Sequence, residues 1–552
     1  MATNDAPVLR IDGYGLSYQT RSGPVRALSD ISLNISHGRT LGLVGESGSG
    51  KSSMAYSVMR YLAPNAREDG GRILLEGEDL RTLSPAAIAR IRGRRAAMVF
   101  QDPSTSLNPA MTLGDQITEV LERHRGLDRP AARAEGEAAL ARTGILRPAD
   151  MMRRYPHQAS GGEKQRVVIA TAFACQPALI VFDEPTTALD TITAQGILEL
   201  FRILQTETGV SALYISHDLA LVSRVADDVA VIHDGRIVET GAPGEIFSAP
   251  RNTYTKALIA AVPRPDRWMG VPPPAVDAVP VLAADRIGVL YGAPSRLAQR
   301  LGIKGRPHWG ARNVSLSVRP GELLGIVGES GSGKSTIAKV LAGLIDFGGG
   351  VSFEGRDFRK RKDFDSAYRR AVQIVFQHPD ASLNPRQTIG RILARPLIIY
   401  GLAPRAERPA RVRALLERVR LPAEFAERYP HQLSGGEKQR VAIARAFAAE
   451  PELVICDEIT AALDVSVQAS VAELLMDLQR ETGTACLFIT HDLNLVRQLA
   501  HRIAVMQDGL LVDIFDRNGA EDPDRAQYTR ALLDAVPKPA GVKPPTPFEA
   551  TL

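Results

Sequence analysis

The chain has 552 residues, 44% apolar and 23% charged, an ordinary globular composition at a length of about three to four domains, which excludes a marginal mini-protein. Lys plus Arg exceeds Asp plus Glu by only five, so charge gives no argument for nucleic-acid binding. The three cysteines, Cys175, Cys456 and Cys486, are too few and too widely spaced for a disulfide framework or a CxxC metal site, and they suit a reducing compartment. No apolar run reaches the length of about 18 residues that a membrane-spanning helix needs. The start, MATNDAPVLR, lacks the basic and apolar regions of a secretory signal. A cytosolic chain that docks on a membrane protein is the expectation.

In chain order, the first short apolar run is 41–44, a predicted strand. It leads into Gly45-Glu46-Ser47-Gly48-Ser49-Gly50-Lys51-Ser52 and then a helical pattern through Ser53. This fits GxxxxGK[ST] between strand and helix, the context a phosphate-binding loop requires. The glycines let successive N–H groups face a phosphate, and the helix N-terminus adds its positive end. Lys51 supplies charge for the β- and γ-phosphates, and the Ser52 hydroxyl is a Mg²⁺ ligand. Further on, Ser160-Gly161-Gly162-Glu163 opens another helical run, a second anion site made by a serine cap and free N–H groups. The apolar run 179–182 then delivers Asp183-Glu184 at a strand end. Ligands of open α/β sheets sit beyond such ends. Asp183 suits Mg²⁺, and Glu184 suits the polarising of an attacking water. The run 212–215 ends at Ser216-His217-Asp218. Prolines 263, 265, 272, 273, 274 and 280 mark 263–280 as a semi-rigid linker, because proline sustains neither helix nor central strand.

The chain then repeats itself. Gly328, Ser330, Gly331, Gly333, Lys334, Ser335 and Thr336 form a second phosphate loop; Ser434-Gly435-Gly436, Asp457-Glu458 and His491 recur in the same order. From Ser160 to Ser434, Asp183 to Asp457, His217 to His491 and Tyr254 to Tyr528 the offset is 274 throughout, so one domain is present twice. Upstream the copies differ by loop length: Lys51 to Gln101 is 50 residues, Lys334 to Gln377 is 43. Strands alternating with helical patterns predict βαβ units around a parallel sheet. The expected boundaries are 1–262, linker 263–280, 281–536, and a disordered end at 537–552.

Two phosphate sites per domain are explained if the domains face each other, each Ser-Gly-Gly closing on the nucleotide held by the other's loop. With this set in place, both copies resemble the ABC ATPase family. The resemblance implies two tandem P-loop NTPase domains, each with a mainly parallel core sheet, an antiparallel β subdomain and a helical subdomain. It implies ATP and Mg²⁺ as ligands, with Lys51 and Lys334 in Walker A loops and Asp183-Glu184 and Asp457-Glu458 as Walker B pairs. Gln101 and Gln377 resemble Q-loop glutamines near γ-phosphate, grouped with Ser52, Ser335, Asp183 and Asp457 around the metal. Asp190 and Asp464 resemble D-loop residues, and His217 and His491, each 34 residues past its Walker B Asp, resemble switch histidines. Tyr18 and Tyr291 are the candidate adenine-stacking aromatics; the insert 292–310, with Trp309, separates Tyr291 from its motif.

The Gln-x-Pro-x-x-Ser-Leu-Asn-Pro loops and the tails around Tyr254 and Tyr528, ending in Ala-Val-Pro, are similar to the peptide/nickel class of bacterial importers. The implied partners are two transmembrane permease subunits, received at 102–153 and 378–427, and an extracytoplasmic solute-binding protein, at the cytoplasmic face of the inner membrane. Many relatives carry an iron–sulfur cysteine cluster near this tail; no Cys lies between Cys175 and Cys456 or after Cys486, so no such centre is expected. Nickel or another small solute is the alternative cargo. A non-transport twin ATPase, such as a ribosome-bound translation factor, is the alternative class, and the short, weakly charged linker argues against it. A module with dead sites is opposed by intact Lys, Asp, Glu and His in both copies.

Two departures from the family pattern suggest asymmetry. Ala159 precedes the first Ser-Gly-Gly where Leu433 precedes the second, and Ile459 follows the second Walker B Glu where Pro185 follows the first. Head-to-tail pairing brings both departures into one composite site. Proline restricts the residue before it to extended conformations, so Glu184 is expected to be better pre-set than Glu458, and the Lys51–Glu184–Ser434 site to carry most of the hydrolysis.

Overall fold

The strands 40–44, 179–183 and 211–216 are buried along their whole length. Unbroken apolar runs of this kind suit a parallel sheet covered on both faces, and that is what they form. The computed structural model describes residues 6–21, 23–187, 189–275, 277–292, 307–461 and 463–536. In the first half, a six-stranded sheet runs in the order Arg236–Gly241, Asp228–His233, Thr40–Val44, Ser211–Ser216, Leu179–Asp183, Ala96–Val99. All neighbours pair in parallel except the edge strand Arg236–Gly241. In the second half, Leu510–Asp516, Arg502–Gln507, Leu323–Val327, Ala485–Ile489, Leu453–Asp457 and Val372–Val375 repeat that order, again with one antiparallel edge. The register sets the site: Val44 pairs with Ser216 and Asp183 with Ile215, so the loops that follow them leave one sheet edge side by side.

Each half adds a four-stranded antiparallel sheet, Gly23–Ile35 to Glu78–Asp79 in the first and His308–Val318 to Arg356–Phe358 in the second. Each also adds a helical layer, built on Leu113–Arg125 and Arg129–Arg142 or on Ile389–Ile399 and Arg408–Arg418. Cys456 and Cys486 lie fully buried on neighbouring strands of the second sheet.

The described part of 263–280 contains neither helix nor strand, as its prolines demand. It is docked on the second half nonetheless. The Arg517 guanidinium lies 4.4 Å from the Trp268 ring centre, and His501 meets that ring edge-on at 5.6 Å. The Met269 N–H donates to Gln498 O at 3.0 Å. His501 accepts the Leu323 N–H at Nδ1 (2.9 Å), which leaves Nε2–H to donate to Val271 O (2.9 Å). The end 537–552 and the insert residues 293–306 lie outside the described residues.

The halves touch through their tails. Helix Thr253–Ala260 of the first half packs on Val465–Thr482 of the second, and Gln527–Ala535 of the second packs on Thr191–Thr208 of the first.

Candidate functional site: two phosphate loops facing acidic strand ends

Both loops curl as their glycines permit. Gly48 and Gly331 (φ +78° and +83°) and the helix N-caps Gly50 and Gly333 (φ +108° and +102°) adopt left-handed backbone that side-chain-bearing residues rarely reach. Lys51 and Lys334 are buried under the loops, and each ammonium donates to two loop carbonyls at 2.8 Å: Gly45 and Glu46, or Gly328 and Glu329. Burial pulls both lysines below their ordinary range, opposed by nearby carboxylates, Glu184 and Glu458 foremost. The Ser49 and Ser332 hydroxyls are buried without a hydrogen-bond partner. Orphaned donors inside a curled loop fit a phosphate.

The strand ends come to the loops. Ser52 Oγ donates to Asp183 Oδ1 at 3.1 Å and Ser335 Oγ to Asp457 Oδ1 at 2.9 Å. Both aspartates are buried, and burial pushes the Asp183 carboxyl up to about 6 and Asp457 upward. A buried carboxylate beside a hydroxyl, short of positive partners, is a hard-oxygen donor set suited to Mg²⁺. Tyr18 and Tyr291 reach the same helices, their hydroxyls 3.3 Å from Ser53 Oγ and 3.4 Å from Thr336 Oγ1.

The two glutamates differ in company. Glu184 Oε2 takes Gln101 Nε2 (3.1 Å), Thr187 Oγ1 (3.0 Å) and His217 Nδ1 (3.1 Å). Burial raises the Glu184 carboxyl, but His217, Lys51 and Thr187 outweigh it and hold the group below its ordinary range. Burial lowers His217, and its bond to Glu184 outweighs that, so the imidazole sits above its ordinary range. Glu458 Oε2 takes Gln377 Nε2 (2.8 Å), with Lys334 Nζ 3.9 Å from Oε1; Ala461 stands where the first half has Thr187, and His491 makes no hydrogen bond to Glu458. In both halves the glutamine amide donates to the glutamate, which leaves its carbonyl oxygen free for a cation.

The expectation that Pro185 pre-sets Glu184 is overturned. Glu184 and Glu458 both have φ +50°, left-handed rather than extended. The cause is shared: each glutamate N–H donates at 2.9 Å to the neighbouring strand, at Ile215 O or Ile489 O, whatever residue follows. The packing difference at the other departure is present. Leu433 is buried in the second core, while Ala159 lies at the margin of the first.

Ser160 and Ser434 cap the helices Gly161–Ala174 and Gly435–Phe447 through reciprocal bonds with Glu163 and Glu437. Both serines are exposed, and no hydrogen bond joins either to the opposite phosphate loop among the described residues. The D-loops make the crossing instead. Asp464 forgoes the cap of its own helix and accepts the Ser47 N–H of the first loop at 2.5 Å; Ser466 bonds the Glu46 carboxylate. Asp190 stays home, capping its helix through Thr193 N at 2.9 Å, while Thr191 Oγ1 donates to His491 O at 3.1 Å. His217, His491, Asp190, Gln377 and Glu458 line a cavity of about 480 Å³ between the halves.

Reading the motifs missed Thr187, Tyr254 and Tyr528 as site residues. Thr187 was within reach, since sliding the copies by 274 sets it against Ala461. The tyrosines show no local pattern that would point to the loops; their hydroxyls take the N–H groups of Glu46 and Glu329, each at 3.1 Å.

The stretches 28–187 and 311–461 match the ABC transporter family, and 238–285 matches the oligopeptide/dipeptide transporter C-terminal region. The chain belongs to the ABC transporter family; it is a twin ATP-binding cassette that hydrolyses ATP, and its first tail is of the peptide-transporter type. It is 40% identical over 564 residues to the glutathione import ATP-binding protein GsiA of Escherichia coli (strain K12), covering 96% of this chain and 89% of that protein. It is similar to the same extent to GsiA of Shigella boydii serotype 4 (strain Sb227). Among solved structures, cbiO1 from Clostridium perfringens, part of the ABC transporter complex cbiONQ, aligns at 28% identity with a TM-score of 0.39, covering 44% of this chain and 92% of that one.

Proposed function

We propose that the chain powers a bacterial importer of peptides or peptide-like solutes, working on the cytoplasmic face of the inner membrane with two permease subunits and a solute-binding protein. The observation that carries the reading is the doubled site itself: in each half a phosphate-loop lysine and serine face a buried aspartate and its neighbouring glutamate. The peptide-transporter tail and the glutathione importers that align along 96% of this chain support peptides as cargo. Leu146, Ile398 and Ile399 stand exposed in the helical layers, apolar anchors suited to a membrane partner. No described helix is long and apolar enough to cross a membrane. The domain assignment that goes with this role is 1–262 and 281–536, joined by 263–280.

In this reading Lys51 and Lys334, with the loop N–H groups, bind the β- and γ-phosphates. Ser52, Asp183 and Gln101, and Ser335, Asp457 and Gln377, would hold Mg²⁺, which supplies charge neutralisation along the phosphates. Glu184 and Glu458 take the proton of the attacking water. His217 and His491 touch the γ-phosphate, and Ser160 and Ser434 close on the nucleotide of the opposite half. The test is Mg-ATP turnover by the purified chain carrying Lys51→Ala with Lys334→Ala. Turnover should vanish, because the charge on the transferring phosphate is gone; wild-type activity in the double variant overturns the reading.

A further inference from the structure

Each phosphate loop has one peptide group whose N–H is taken by the tail of its own half. In the first loop this is the 45–46 peptide: its carbonyl, Gly45 O, takes Lys51 Nζ at 2.8 Å, and its N–H, on Glu46, donates to the Tyr254 hydroxyl at 3.1 Å. In the second loop the 328–329 peptide repeats this, with Lys334 Nζ on Gly328 O at 2.8 Å and the Glu329 N–H on the Tyr528 hydroxyl at 3.1 Å. A peptide that follows glycine rotates cheaply, and Gly328 already sits at φ +152°. Rotation of that peptide would move the carbonyl on which the lysine ammonium rests. The tyrosine is therefore the outside anchor of the group that aims the lysine.

The anchors are themselves fixed. The Tyr254 N–H donates to the Asn252 cap at 2.8 Å, and its ring stacks on His233 with centres 3.8 Å apart. Gln507 holds the place of His233 in the second half. Beyond the tyrosine, helix Thr253–Ala260 rests on Val465–Thr482 of the opposite half, the helix whose first residues reach Glu46 and Ser47. Helix Gln527–Ala535 rests on Thr191–Thr208 in the same way. Each tail helix thus touches a phosphate loop with its tyrosine and the opposite half with its flank.

We propose that Tyr254 and Tyr528 are positioning residues of the two nucleotide sites, holding the lysine-bearing peptide of each phosphate loop and tying its geometry to the packing of the tail on the opposite half. The proposal rests on the reading that these loops hold ATP. Phenylalanine keeps the ring and the tail packing and removes only the acceptor. With the full chain and Mg-ATP, Tyr254→Phe, Tyr528→Phe and the double variant should raise KM for ATP by about two- to tenfold, the worth of one neutral hydrogen bond, with kcat held within about twofold. An unchanged KM overturns the proposal, as does a fall in kcat with KM unchanged, which a merely structural role would give. Hydrogen exchange on the wild-type chain is a second readout that needs no variant to fold. The Glu46 and Glu329 amides should exchange slowly without nucleotide, and exchange at the unprotected rate overturns the proposal. Absence of ATP turnover in the wild type would sink the proposed function instead, and the amide exchange would still decide the tail contact.

Discussion

Glu184 and Glu458 end equivalent strands, share a backbone conformation and follow equivalent aspartates, yet one is held by three donors and the other by one. The crossing contacts lean the same way. The first phosphate loop receives Asp464 and Ser466 from the opposite half, while Asp190 remains on its own helix and Ile192 packs into the second core where its counterpart Ser466 bonds. Intact motifs therefore do not make equivalent sites. What separates the halves lies one to three residues past the motif carboxylates, at Thr187 against Ala461, Thr191 against Val465 and Ile192 against Ser466.

The largest expected effect tests that asymmetry directly. Glu184→Gln should cut steady-state ATPase activity several-fold more than Glu458→Gln, because general-base catalysis is worth roughly 10²- to 10⁴-fold at the site that does most of the work. Equal losses, or a greater loss from Glu458→Gln, would break the comparison. Next comes packing. Leu433→Ala should destabilise the second half by about 2–5 kcal/mol, read by denaturant unfolding, whereas Ala159→Gly should cost far less. Similar costs would mean that the two signature positions are packed alike. A smaller effect concerns the missing hydroxyl. Thr187→Val should lower turnover about two- to tenfold, and Ala461→Thr in a Glu184→Gln background should raise the residual turnover by a similar factor. If Ala461→Thr leaves that turnover unchanged, the hydroxyl is not what separates the sites.

The smallest expected effect is on pH. His217 lies above its ordinary value of 6.5, so its share of stability is present below that value and lost as pH rises through the raised one; Glu184 lies below its ordinary 4.5, so its share is present above 4.5 and lost on acidification through the lowered value. The gap in nucleotide-free thermal stability between wild type and His217→Gln should be widest between 4.5 and 6.5 and narrow at alkaline pH. A gap independent of pH contradicts the pairing.

Much of this was legible in the chain. The apolar runs at 41–44, 179–182 and 212–215 lie within the central strands, and the phosphate loops and Ser-Gly-Gly caps fall at the helix starts their residues dictate. Such features follow from local pattern: glycine where φ turns positive, serine where a helix needs its first N–H groups satisfied. The proline argument at Glu184 failed because a long-range bond to Ile215 O decides that conformation, and a rule about adjacent residues cannot see it. Nor does any local pattern announce that Tyr254 meets Glu46 across 208 residues, or that Asp464 meets Ser47 across 417. Those contacts belong to the packing of the halves, which the spacing of motifs leaves open.

The docking of Trp268 limits how the two cassettes can part. From Ala260, where the first tail helix ends, to Pro265, whose carbonyl already meets Arg517 of the second half, the chain has five residue steps. Fully stretched, five steps span about 17 Å. Near this edge the cassettes are leashed as closely as the leaves of a hinge. Separation of the nucleotide sites must then be a swing about the tail side, widest at the far rim, and a wholesale parting of the cassettes would first have to peel Trp268 from between Arg517 and His501.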